Sequence, residues 1–272
     1  MTTVRRRLLL IAVALVAGLL PPAFISVAAV DAMIGGHRAT NPGYVVALDY
    51  RKSFGGNAAD REFCSGTLIN SRWVLTAAHC LRGTRLSQYE LILGVTRLSS
   101  GGGTVVLPSA QFIDPKYHGE GNDIALVKLP DDVTQAVAPV ARSSLASKWA
   151  PGRYLRSSGW GYTCAAENHS CQGDALKSGR MRVRSDADCS AAMGAINRAT
   201  EICTKTPGLS LGGGDSGGPA VISTASGPQL VAVNSWGEID YRNHDVVGGW
   251  MGYAEVAGTS LSTWIATTMA SN

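Results

Sequence analysis

Short apolar runs, each closed by Gly, Pro, Asn or Ser, recur along almost the whole chain, and they constrain the fold more than any other feature. In the first half they are Tyr44–Leu48, Cys64–Ile69, Trp73–Ala77, Tyr89–Leu93, Thr104–Leu107 and Ile124–Leu129. In the second half they are Tyr154–Ser158, Met181–Val183, Val221–Ser223, Leu230–Ser235 and Trp250–Val256. Runs of this length with turn residues between them predict strands of a sandwich or barrel. Only Asp186–Met193 and Thr259–Met269 read as helices, the second with Leu261, Trp264, Ile265 and Thr268 near one face. The expected fold class is therefore all-β with a C-terminal α-helix. Gly at 32 positions and only 16% charged residues exclude a coiled coil and a disordered chain. Ala138–Gly152, polar and Pro-bearing, is the expected linker between two halves.

Residues 1–32 have the layout of a secretory signal. Arg5, Arg6 and Arg7 precede the apolar run Leu8–Leu20, Pro21 and Pro22 end it, and small residues follow through Ala32. The run is too short to span about 30 Å of hydrocarbon, although reading on to Val30 keeps a membrane anchor as the rival. A twin-arginine signal is a further alternative, without a convincing remainder of that motif. Removing the segment takes away three Arg and one Asp, so the formal charge falls from +4 to +2. With no Lys/Arg stripe beyond the leader, nothing points to nucleic acid. Six Cys behind an export signal read as disulfides, and proximity suggests Cys64–Cys80, Cys164–Cys171 and Cys189–Cys203. No CxxC occurs and His169 stands alone between two Cys, so neither a metal nor a cofactor is expected.

Chemistry concentrates around Ser216. Five Gly fall within Gly212–Gly218 around this single Ser, a setting in which backbone N–H groups can approach a ligand. A Ser nucleophile needs a base, and the base needs an orienting acid. Gly214–Gly218 also fits the elbow of α/β-hydrolases, but there the acid and His follow the Ser, and only His244 does so here. The reverse order fits better: His79 follows a strand, Asp123 opens another, and Ser216 comes last.

These segments resemble the trypsin/chymotrypsin family of serine proteases. The matching pieces are Met33-Ile34-Gly35-Gly36, Cys64–Ile69, the TAAHC of Thr76–Cys80, the DIAL of Asp123–Leu126, the GDSGGP of Gly214–Pro219 and Ser235-Trp236-Gly237, in family order. The resemblance implies two antiparallel six-stranded β-barrels, one over about 33–140 and the other over about 150–256, with residues 257–272 as the C-terminal helix of the same peptidase domain. It implies the catalytic set His79, Asp123 and Ser216, with the N–H groups of Gly214 and Ser216 as oxyanion hole. Removing such a donor costs roughly 3–4 kcal/mol. It makes Ser235, Trp236 and Gly237 the edge that pairs with a substrate backbone. It pairs a freed Met33 ammonium with Asp215, and cleavage of the leader after Ala32 would expose that group directly. The rival is cleavage after Ala28 or Ala29, which leaves a very short propeptide.

Specificity follows from the same resemblance. Ser210, six before the nucleophile, would form the base of the primary pocket with Gly213 and Gly237 as open walls, and the lack of an Asp there argues against Arg/Lys preference. Cleavage after apolar or aromatic residues is expected. Two departures qualify it: no Cys braces the pocket, and Met251 falls near a wall usually lined by a small residue. Gly248 or Gly249 could take that place, and Asp240 or Asp245 would then add charge. The expected protein is a secreted, extracellular monomer acting on protein or peptide substrates, open to a protein inhibitor, without a stable membrane anchor. Its competitors are a catalytically silent binding protein on this scaffold and an ester hydrolase. Asn168-His169-Ser170 fits a glycosylation sequon.

Overall fold

The runs Val45–Tyr50, Trp73–Thr76 and Tyr89–Leu93 are buried along almost their whole length, as happens where curved sheets close over their apolar faces. A computed structural model describes residues 33–272 except 120, 165–168, 195, 243 and 244. The leader and Asn168 therefore lie outside the described residues. The strands are β1 (His37–Arg38), β2 (Val45–Tyr50), β3 (Glu62–Asn70), β4 (Trp73–Thr76), β5 (Tyr89–Leu93), β6 (Thr104–Val106), β7 (Ala110–Ile113) and β8 (Ala125–Lys128). After a crossing segment come β9 (Tyr154–Gly159), β10 (Lys177–Arg182), β11 (Glu201–Pro207), β12 (Pro219–Thr224), β13 (Gly227–Arg242) and β14 (Asp245–Glu255). The α-helices are α1 (Ala58–Arg61), α2 (Ala78–Leu81), α3 (Asp186–Met193) and α4 (Ser260–Ser271).

The strands form two curled antiparallel sheets of the double-barrel type. One has the order β6-β5-β2-β3-β4-β8-β7, in which β5 returns beside β2 after two hairpins, a Greek-key arrangement. The other has the order β1-β10-β9-β12-β13-β14-β11. Among the described residues each sheet counts seven strands where the resemblance implied six. In the first, Leu107-Pro108-Ser109 separates β6 from β7, and Pro108 has no N–H to continue a ladder. In the second, the extra strand is β1, two residues long, which pairs with β10 through His37 and Ser178.

Ala138–Gly152 crosses between the sheets but is not a free linker. Ala141 N donates to Leu230 O at 2.7 Å, and the buried Trp149 donates from Nε1 to Glu255 Oε1 at 2.7 Å. At the C-terminus, Thr259 caps α4 by accepting from Leu261 N at 3.2 Å, and Leu261 and Ile265 bury its inner face. The three disulfides join Cys64 to Cys80, Cys164 to Cys171 and Cys189 to Cys203, with Cα–Cα distances of 6.2, 5.6 and 5.9 Å. Among the described residues no helix is long and apolar enough to cross a membrane.

Candidate active site

Strand pairing brings His79 and Asp123 together. Thr76 at the end of β4 lies opposite Ala125 at the start of β8, so the turn leaving one strand meets the turn entering the other. One helical turn, α2, places His79 three residues past Thr76, and the Cys64–Cys80 bridge ties that turn back to β3. Asn122, in the left-handed region at φ 48°, turns the chain so that Asp123 faces inward. His79 Nδ1 then stands 2.7 Å from Asp123 Oδ2, while His79 N donates to Oδ1 at 2.9 Å. A carboxylate oxygen on Nδ1 holds the proton on that nitrogen and leaves Nε2 as the acceptor.

The third donor on Asp123 is Ser235. Its Oγ donates to Oδ2 at 2.6 Å. The strand register explains why. Asn234 pairs with Tyr253 and Trp236 with Gly252, so Ser235 is the extra residue of a bulge with no partner on β14. A bulge re-aims one side chain, and here it sends the hydroxyl across to the other sheet. Sequence reading assigned Ser235 to the substrate edge and missed this contact.

Ser216 sits in the loop between β11 and β12, and that loop is clamped onto the His79-bearing strands. Ser216 O accepts from Ser65 N at 2.8 Å, and Thr76 Oγ1 donates to Ser65 O at 2.8 Å. Gly217, at φ 79°, is what allows the approach: a Cβ there would lie 2.1 Å from Thr76 Oγ1 and 2.4 Å from Ser65 O. Gly217 N donates to Asn234 O at 2.8 Å. Among the described residues Ser216 Oγ has no hydrogen-bond partner, nor do the N–H groups of Gly214 and Ser216. Two donors and a hydroxyl are thus open to a ligand. Nucleophile–base bonds are often long in the absence of substrate.

Two acids stand at the back of this loop. Asp215 is fully buried and accepts from Gly161 N at 3.0 Å and Gly212 N at 2.9 Å. Glu62 lies behind Gly214, where a Cβ on that glycine (φ 93°) would come within 2.6 Å of Glu62 Oε2. Burial, then the Asp215 and Asp49 charges, push the Glu62 carboxyl well above the usual carboxylate range. Nothing in the sequence pattern singled out Glu62. Met33 is also fully buried, in the core of the second sheet, and the next residue, Ile34, accepts from Ser210 N at 2.9 Å.

Two cavities meet at Ser235 and Trp236. One of about 750 Å³ holds His79, Asp123, Lys116 and Tyr117. The other, about 150 Å³, opens beside Ser216 between Gly212-Gly213 and Gly237. Its floor differs from the expectation for Ser210. That residue is fully buried and does not line the cavity. Met251 does. Its Sδ accepts from Leu211 N at 3.4 Å and Ser210 Oγ at 3.7 Å, and a Cβ on Gly237 would lie 2.5 Å from its Cε. The thioether therefore spans the cavity from one wall to the other above Ser210. Cys64, His79 and Cys80 cluster like metal ligands, but the two sulfurs are bonded to each other, which leaves no thiolate to bind an ion.

The trypsin family model matches residues 33–265. A trypsin of Saccharopolyspora erythraea is 32% identical over 182 residues, covering 65% of this chain and 77% of that protein. Trypsin alpha-4 of Lucilia cuprina is 32% identical over 209 residues, covering 74% of this chain and 76% of its own. With this fold and these matches across most of its length, the chain belongs to the trypsin family and is a serine endopeptidase.

Proposed function

We propose that this endopeptidase is secreted and cleaves through a His79–Asp123–Ser216 relay, with small to medium aliphatic residues preferred before the cut. Ser216 Oγ attacks the scissile carbonyl and His79 Nε2 takes its proton. Asp123 holds the imidazole tautomer and balances the imidazolium, then His79 returns the proton to the leaving amine and water releases the acyl group from Ser216. The N–H groups of Gly214 and Ser216 receive the oxyanion. The observation that carries this reading is the 2.7 Å contact of His79 Nδ1 with Asp123, beside a Ser216 loop clamped to the same strands. Trp236 and Gly237 supply the backbone edge for the substrate.

The uncharged cavity favours apolar residues, and the Met251 thioether lying across its floor favours the shorter ones. The buried Met33 supports activation by leader cleavage after Ala32, its new ammonium reaching Asp215. The three disulfides suit an oxidising, extracellular setting.

Labelling with a peptidyl organophosphonate tests the relay. One equivalent on Ser216, lost in Ser216→Ala and strongly slowed in His79→Ala, is expected. No labelling of the folded protein would point to a silent binding protein instead, and activity on esters alone to an ester hydrolase. N-terminal sequencing of secreted material tests the activation step, and a start other than Met33 rejects it.

A further inference from the structure

The second sheet opens at one end, away from the cleft. β9 and β12 pair only through Ser157 with Ala220 and Arg156 with Val221. The pairing stops at those positions, and Tyr154, Leu155, Ile222 and Ser223 beyond them line a groove of about 480 Å³. The facing edges have no strand neighbour there, although β10 and β13 pair with their far sides. Backbone edges of this kind accept an added strand.

The groove is also strongly positive. Lys148, Arg153, Arg156 and Arg180 line it, and no carboxylate does. None of the four forms an ion pair among the described residues. Arg156 and Arg180 are direct cross-strand partners, and Arg182 lies opposite Tyr154 on the same exposed face. Like charges directly opposite destabilise a sheet, so this pairing weakens the isolated fold. Tyr154 is 43% exposed with the Arg180 guanidinium stacked 4.6 Å from its ring centre. The chain beyond the leader carries a formal charge of only +2, so these cations are a local concentration.

We infer that this groove is a secondary binding site for an extended acidic peptide segment of a protein partner. Its backbone would pair with the open edges, and its carboxylates would face Arg153, Arg156 and Arg180. The open edges favour a peptide over a sulfated polysaccharide or a nucleic acid, because only a peptide can satisfy backbone N–H and C=O groups in register. None of the groove residues lines the cleft of His79 or the cavity of Ser216, so binding here is separable from cleavage.

The test uses Ser216→Ala protein and a fluorescein-labelled octapeptide alternating Asp with Val, read by anisotropy. Binding is expected to weaken at least tenfold in Arg156→Glu/Arg180→Glu, to weaken similarly when alternate peptide amides are N-methylated, and to fall as salt rises. In the Ser216 background the same double variant should keep its kcat/KM on a tetrapeptide substrate. Should that variant not fold, Lys148→Glu/Arg153→Glu on the adjoining turn serves in its place. Unchanged binding in a folded charge-reversal variant would overturn the inference. So would equal binding of the N-methylated peptide, or tighter binding of a heparin oligosaccharide or DNA of matched charge.

Discussion

Met251→Ala should lengthen the primary cavity and change what the enzyme cleaves. In the native protein the thioether lies against Leu211 N and Ser210 Oγ and its methyl reaches the Gly237 wall. Truncation removes the three outer heavy atoms and opens the space down to Ser210. A phenylalanine ring entering that space buries about 100 Å² more apolar surface than before. At about 25 cal/mol per Å² this is about 2.5 kcal/mol, or roughly a 70-fold gain in kcat/KM. The assay is a set of tetrapeptide anilides differing only in the residue before the cut, from Ala, Val and Leu to Phe, Tyr, Lys and Arg. Native protein should favour the aliphatic members, and Met251→Ala should shift the optimum to Phe. Loss of a buried Met side chain destabilises by about 2–5 kcal/mol, so rates are measured well below the variant's melting temperature. Native preference for Phe or Arg, or an unchanged ranking in folded Met251→Ala, would refute the thioether floor.

Two further outcomes follow from the site and the core. Ser235→Ala removes a hydroxyl from the Asp123 carboxylate; the lost charge-assisted bond is worth about 1.5–3 kcal/mol, so kcat should fall about 10- to 100-fold with KM little changed, as steady-state kinetics would read. Asp49 is fully buried 3.6 Å from Arg61, and its pKa is raised from 3.8 to about 7 by burial, with the Glu90 charge adding and Arg61 opposing. The folded state holds this proton more tightly than the unfolded one, so the stability it contributes is complete below about pH 4 and is lost as pH rises to about 7. Relative to native protein, Asp49→Asn should therefore gain up to roughly 4 kcal/mol across that window, measured by urea unfolding at several pH values; a gap that does not change with pH contradicts the assignment.

The chemistry-bearing residues were legible because each sits in a short segment with its own local signature: His79 beside Cys80, Asp123 before an apolar strand, Ser216 among glycines. Strands with clear apolar runs, such as Tyr89–Leu93, were legible for the same reason. What stayed hidden depends on register or on side-chain direction. β7 is only four residues long and follows Pro108, and β11 has only the pair Ile202-Cys203 between Glu201 and the polar run Thr204-Lys205-Thr206. The reach of Ser235 to Asp123 arises from a one-residue bulge, which no linear pattern announces. Position alone put Met251 near the pocket wall; only the packing of Gly237, Leu211 and Ser210 sends its thioether across the floor. The approach of the Glu62 carboxyl to Gly214 joins residues far apart in sequence.

Kinetic coupling between Ser216 and His79 tests the relay most directly. Single-turnover rates on a good aliphatic substrate would be compared for native protein, Ser216→Ala, His79→Ala and the double variant. If the hydroxyl and imidazole act as one unit, each single change costs about 10⁶-fold and the double change costs no more. Losses that multiply, or a Ser216→Ala protein that keeps native turnover, would contradict it.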